Sequence, residues 1–285
     1  MIKKKRTFGV STWLWHSPFT TASVSLLPKI KEMDFDLVEI PVENPELIDV
    51  VVVKKALEEN GLEASICIVF GDDKDLTSGD EGLHKNGFAH AEKCFALAEA
   101  LGVSYVAGPL YAAVGKARLV SEEEKKKEWG RAVINLRILS GIARKYNLDI
   151  ALEPLNRFES DLINTTEDVL CLLEDINEDN MKIVLDSFHM TIEEQDIRTA
   201  IQNAGDRLIH IQVSENHRGI PGTGLSPWDE FAKGLADVNY QGAIVIESFT
   251  PENRELAAAV NIWKKLAPNQ DEFARKGLAF LKKTF

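Results

Sequence analysis

Short apolar runs and longer stretches of helical period alternate along the whole chain. Runs at residues 8–12, 36–40, 64–69, 105–108, 149–153, 182–186, 208–213 and 243–247 are dominated by aliphatic side chains and predict eight strands. Between them, apolar residues recur every three or four positions at 45–60, 86–102, 121–147, 165–177, 191–204 and 228–238, which predicts helices. The stretch at 121–147 opens with Ser121 three residues before Glu124, the spacing of a capping box. Residues 251–285 leave room for an eighth helix and a short extra one.

Regular alternation of strand and helix predicts parallel βα units. An open doubly wound sheet and a closed barrel both satisfy it. No GxGxxG follows the first run, and the length suits a barrel, which typically takes about 250 residues. The expected fold is α/β: a single (β/α)8 TIM barrel over residues 1–285 with a short extra C-terminal helix.

Composition narrows the function classes. The 285 residues are 45% hydrophobic, enough to bury a large core, and carry a formal net charge of −12. That charge argues against nucleic acid as a partner, because phosphates call for a basic face, and against an anionic membrane surface. Cys67, Cys94 and Cys171 are scattered with no CxxC spacing, which predicts a reducing compartment and no structural zinc. The first residues are basic but no sustained apolar run follows, so no signal peptide is expected. No segment reaches the roughly 18 apolar residues of a membrane helix. A cytoplasmic, soluble protein is expected.

The candidate chemistry lies where the later strands run out. Four successive runs read LDIALE, KIVLD, LIHIQ and AIVIE, ending in Glu153, Asp186, Gln212 and Glu247. Each alone fits a solvated strand-end acid or, for Asp186, an N-cap. In a barrel, however, adjacent strand tips converge on the C-terminal face, where active sites sit. Three converging carboxylates repel strongly unless a cation neutralises them. His210 and Gln212 are two apart and share one face of their strand. Gln212 is nearer the rim and is the expected ligand; His210 fits an inner, hydrogen-bonded position and remains the alternative. An all-oxygen set suits Mn2+ or Mg2+ better than zinc, with Co2+ also compatible.

Other residues gather near the same rim. Trp13 and Trp15 follow the first strand, Tyr111 the fourth and Phe249 the eighth, and could line an apolar wall against the carbon face of a sugar. The loop at 215–224 carries Gly219, Pro221, Gly222 and Gly224, but with no GK[ST] and one Arg a phosphate cradle is not expected.

The segments EPLNRFESDLINT, LDSFHM, ENHRGIPGTG and VIESF, with GPLYAAVG after the fourth strand, resemble the D-tagatose/D-psicose (allulose) 3-epimerase family of the xylose-isomerase-like barrels. The resemblance implies a metal held by Glu153, Asp186, the seventh-strand residue and Glu247. It implies Glu153 and Glu247 as the proton carriers, and substrate contacts from Glu159, His189 and Arg218. It also implies a homodimer or homotetramer. Where these epimerases usually carry histidine, this chain has Gln212, as hydroxypyruvate isomerases do. The function expected is inversion of C3 in a free ketohexose or ketopentose; the alternative is an isomerase of the hydroxypyruvate or inosose kind. A third branch, the apurinic endonucleases, uses several zincs and many histidines, and this acidic chain has six.

Overall fold

The computed structural model describes residues 6–285; the basic head lies mostly outside the described residues. Eight parallel strands close into a barrel in chain order: β1 (Phe8–Ser11), β2 (Leu37–Pro41), β3 (Glu63–Cys67), β4 (Tyr105–Gly108), β5 (Asp149–Leu152), β6 (Met181–Asp186), β7 (Leu208–Val213) and β8 (Ala243–Ile246). β1 pairs with both β2 and β8, which completes the ring. The helices are α1 (Leu27–Glu32), α2 (Val50–Asn60), α3 (Glu81–Leu101), α4 (Glu122–Arg144), α5 (Thr166–Ile176), α6 (Ser187–Glu193), α7 (Ile197–Ala204), α8 (Trp228–Asp237), α9 (Arg254–Ala259) and α10 (Gln270–Thr284). Among the described residues no helix is long and apolar enough to cross a membrane.

Strand periodicity explains where the core sits. Val38, Ile40, Ile66, Val106, Ile150, Leu152, Ile183, Leu185, Ile244 and Ile246 pack in the large cluster shared with the helices. Their alternates, Leu37, Ala107, Ala151, Val184, Ala243 and Val245, form small clusters of their own. Successive side chains on a strand point to opposite faces, so these alternates fill the barrel interior. Two residues beyond Ala151, Val184 and Val245 on that same inward face come Glu153, Asp186 and Glu247. The convergence of the carboxylates is thus a consequence of pleat period and barrel closure together.

Local chemistry sets the helix boundaries. Asp80 caps α3, its side chain accepting from Gly82 N at 2.7 Å, so this helix starts five residues before the predicted 86. Ser121 Oγ accepts from Glu124 N at 3.2 Å at the start of α4. A reciprocal capping box forms at Thr165 and Asp168, at the start of α5. The single helix predicted at 191–204 is two: α6 begins directly after Asp186, and Asp196 caps α7 by accepting from Thr199 N at 3.0 Å. In the tail the short helix, α9, precedes the long one, α10, which packs against β1, β8 and α8.

One glycine is dictated by close approach. Gly108, the last residue of β4, has φ 133°, and a Cβ there would lie 2.1 Å from the carbonyl oxygen of Ile68. Its own carbonyl accepts from Glu153 N at 3.3 Å, so this tight crossing helps hold the tip of β5 in place.

Candidate active site

Glu153 and Glu247 each lie one residue past their strands, yet stay anchored to the sheet. Glu153 N donates to Gly108 O, and Glu247 N donates to Val213 O at 3.0 Å. Asp186 ends β6 and caps α6, its Oδ1 accepting from Phe188 N at 2.5 Å and His189 N at 3.4 Å. Gln212 lies within β7 and is fully buried. Its amide nitrogen donates to Glu247 Oε1 at 3.0 Å and to Glu39 Oε1 at 3.1 Å.

Arg218 ties the tips together. Its Nη1 donates to Asp186 Oδ2 at 3.0 Å and Glu247 Oε2 at 3.1 Å. The guanidinium lies over the Phe188 ring at 4.1 Å and the Phe249 ring at 5.2 Å from their centroids, so two aromatic faces steady it. Arg218 itself adopts φ 59°, a left-handed backbone that costs a non-glycine residue roughly 1–2 kcal/mol. Backbone bonds compensate: Arg218 N donates to Glu215 O at 2.7 Å, and Glu215 N donates to Gly219 O at 3.0 Å.

His189, on α6, is also buried. Its Nδ1 accepts from the backbone N–H of Asn156 at 2.9 Å, with the Asn156 amide nitrogen also at 2.9 Å. A backbone N–H can only donate, so Nδ1 is bare and the proton of the neutral ring sits on Nε2. That nitrogen faces Arg218 Nη2 at 3.1 Å and Glu153 Oε1 at 3.7 Å. Asn156 also donates to Glu159 Oε1 at 2.8 Å, and Gly115 N donates to the Glu159 carbonyl at 2.8 Å.

These groups border a cavity of about 1030 Å³. Glu153, Glu159, His189, Arg218, Glu247 and Phe249 line it, while Asp186 and Gln212 form no part of its wall and sit beneath. Sequence reading put both Trp13 and Trp15 on the substrate wall; of the two, the structure places Trp13 there and not Trp15. Trp13 packs against Phe249, ring centroids 5.6 Å apart, and donates to Glu43 Oε1 at 2.7 Å. Trp15 turns away, donating to Asp271 Oδ1 at 2.8 Å. The cause is the 3-10 turn at Thr12–Leu14, which replaces the alternation of a continued strand. Both ring nitrogens of His210 are occupied, Nδ1 by Tyr105 Oη and Nε2 by Glu39 Oε2, each at 2.8 Å.

Sequence reading missed four residues. Glu39 lies buried inside the barrel, Cys67 and Glu43 line the cavity, and Asn156 orients His189. A lone carboxylate in the apolar run LVEIP was the available signal for Glu39, of the same kind as the polar pair in LIHIQ.

The site holds more buried negative charge than positive. Burial pushes the carboxyls of Glu153 and Glu247 well above the usual range, and neighbouring carboxylates add to this while Arg218 opposes it. Burial likewise raises Asp186, against the pull of Arg218 and the α6 amides. His189 is pushed well below its ordinary value by burial and then by Arg218. Burial also raises the Cys67 thiol, which stays protonated.

The donor set fits a hard divalent cation. Among the described residues no three His, Cys, Asp or Glu side chains gather closely enough to hold a metal by themselves, and Arg218 occupies the gap between Asp186 and Glu247. The amide oxygen of Gln212, however, is buried without any hydrogen-bond partner. An orphaned buried acceptor costs roughly 1–3 kcal/mol. An orphaned oxygen donor beside an excess of carboxylates suits an oxygen-liganded ion such as Mn2+ or Mg2+.

Residues 27–284 match the family described as xylose isomerase-like TIM barrel. The chain belongs to that family. Among xylose isomerase-like barrels it resembles ketose 3-epimerases. A ketose 3-epimerase of Arthrobacter globiformis is 31% identical over 281 residues, covering 96% of this chain and 95% of that protein. The crystal structure of a D-allulose 3-epimerase from Methylomonas sp. in complex with D-allulose has a TM-score of 0.92 and 29% identity, over 99% of this chain and 98% of that one. A solved L-ribulose 3-epimerase has a TM-score of 0.93 and 28% identity, over 98% and 94%. Such relatives are isomerases, and this xylose isomerase-like barrel is an enzyme of that class.

Proposed function

We propose that the protein is a divalent-metal-dependent ketose 3-epimerase acting on a free ketohexose or ketopentose. The observation that carries this reading is the pairing of Glu153 and Glu247 at one cavity, with the orphaned Gln212 oxygen beside Glu247 and Arg218 bridging Asp186 to Glu247. Glu153, Asp186, Gln212 and Glu247 would hold the cation, Mn2+ by preference, with Co2+ or Mg2+ as substitutes. Bound there, it would polarise the C2 carbonyl and stabilise the negative charge that develops on the enediolate.

The chain's own residues supply the rest. One of Glu153 and Glu247 removes the C3 proton and the other returns a proton to the opposite face. Their raised carboxyls bring them closer to the basicity such a step needs. His189, fixed as a neutral ring with its proton on Nε2, donates to a sugar oxygen. Arg218 Nη2 faces the same point and donates to that oxygen as well. Trp13 and Phe249 cover the carbon face and exclude water.

The cavity wall favours an uncharged sugar. Glu43, Glu153, Glu159, Glu247, Glu252 and Glu255 face it against Arg218 and Arg254, an acidic balance that repels a phosphate. The relative from Methylomonas sp. takes D-allulose, a free ketohexose of the class proposed here. A homo-oligomer in the cytoplasm completes the proposal.

Incubating the Mn2+-loaded protein with D-fructose or D-tagatose and separating the products by chromatography tests it. The expected products are the C3 epimers, D-psicose and D-sorbose. Gln212 in the histidine position favours a second reading, an aldose–ketose type isomerase; an aldehyde product with no C3 epimer would establish that one instead.

A further inference from the structure

Glu39, on β2, is fully buried in the barrel interior and takes no part in the chemistry described so far. Its two oxygens face two residues of β7. Oε2 lies 2.8 Å from His210 Nε2, and Oε1 accepts from the Gln212 amide nitrogen at 3.1 Å. Ser65 Oγ adds a longer contact at 3.5 Å. A buried carboxylate must be met by donors, so His210 presents an N–H from Nε2. With that N–H on Nε2, Nδ1 is left to accept from the hydroxyl of Tyr105 at 2.8 Å. Tyr105, His210 and Glu39 thus form a directional chain that ends on Gln212.

The consequence falls on the amide. Its NH2 group has two protons, and both are taken by carboxylates, one by Glu39 and one by Glu247 at 3.0 Å. Turning the amide over would set its oxygen against two carboxylate oxygens, a repulsive arrangement. The oxygen is therefore forced into the position where it has no protein partner. We propose that Glu39 is a positioning residue, which with His210 and Tyr105 behind it locks Gln212 so that its oxygen, and not its NH2, is offered to the cation. This inference rests on the metal-dependent reading given above.

The test is titration of the metal-free, full-length protein with MnCl2, followed by calorimetry and by the electron paramagnetic resonance of free Mn2+. Glu39→Leu removes the acceptor and frees the amide to turn. It is expected to weaken Mn2+ binding roughly 10–100-fold, the range for deleting the partner that orients a ligand. Glu39→Gln keeps an oxygen for Gln212 and an NH2 for His210 in its other tautomer. It is expected to bind at least about fivefold more tightly than Glu39→Leu, a rescue that a purely structural role would not produce.

Far-ultraviolet circular dichroism of the metal-free variants reports folding. Where Glu39→Leu does not fold, Glu39→Ser takes its place with the same expected loss. A folded Glu39→Leu or Glu39→Ser that binds Mn2+ like the wild type overturns the inference. Equal losses in Glu39→Gln and Glu39→Leu overturn it too, by assigning the effect to charge. A wild type that binds no Mn2+ overturns the metal reading itself, whereas a tight-binding wild type beside an unaffected Glu39→Leu overturns this inference alone.

Discussion

Nη2 of Arg218 and Nε2 of His189 lie 3.1 Å apart, and the Asn156 N–H on the far side of the ring makes both of them donors. Two donors in direct contact call for an acceptor beside the pair that accepts from both, and a sugar oxygen is the natural occupant. Nitrogen-15 NMR should therefore show His189 protonated at Nε2 alone. Burial and then Arg218 hold its imidazolium form well below the ordinary value, so the ring should stay neutral from pH 8 down to pH 6. A doubly protonated ring at pH 6 would contradict this geometry.

Arg218 is the cation nearest Asp186 and Glu247, and it is 5% exposed. Removing one partner of a buried ion pair typically costs about 3–5 kcal/mol. Arg218→Met should lose that much in urea denaturation of the metal-free protein. Its kcat/KM should fall at least about 100-fold, as when a buried donor to a developing oxyanion is deleted. A variant with wild-type stability would mean that Asp186 and Glu247 are already neutral.

Much of this site was legible in the sequence. Continuous apolar runs ending in Glu153, Asp186 and Glu247 pointed to the strands, the barrel and the inward direction of the acids, because pleat and closure leave few alternatives. What could not be read was lateral contact across the barrel. Glu39 meets His210 and Gln212 from a strand more than 160 residues away in sequence, and only the closed ring brings them together. Trp15 misled because strand alternation stops at Ser11. The helix predicted at 191–204 hid a break, because Glu194 leaves the helix to accept from Thr166 N at 2.6 Å.

The two tryptophans separate cleanly. Trp13 lines the cavity and Trp15 does not. Trp13→Ala should raise KM for the sugar and lose any ligand-dependent change in fluorescence. Trp15→Ala should leave KM unchanged and lower stability only. A rise in KM confined to Trp15→Ala would reverse the assignment.

Glu215 pins the loop that carries Arg218. Its carboxylate accepts from Ser226 N at 2.7 Å, Gly222 N at 2.8 Å, Asn216 N at 3.0 Å and Trp228 Nε1 at 3.0 Å. Burial pushes the carboxyl up, but these bonds, led by Ser226, outweigh it and hold it at about 2. A depressed carboxyl stabilises the fold fully above the usual carboxylate range near 4.5 and loses that contribution as pH falls toward 2. Glu215→Gln should cost about 1–3 kcal/mol at pH 7, the range for losing a hydrogen-bonded charged partner, and flatten the acid side of the stability curve. An unchanged acid limb in denaturation from pH 5 to pH 2 would refute it.

The central claim is that Glu153 and Glu247 work a proton at C3 of a ketose from opposite sides. The most direct measurement is deuterium entry at C3 of D-fructose or D-tagatose in heavy water, followed by mass spectrometry with the Mn2+-loaded enzyme. The wild type should incorporate deuterium at C3 in both substrate and epimer, and Glu247→Gln should keep its fold while losing turnover. Wild-type exchange rates in Glu247→Gln, or no deuterium at C3 in any ketose with the wild type, would contradict the account.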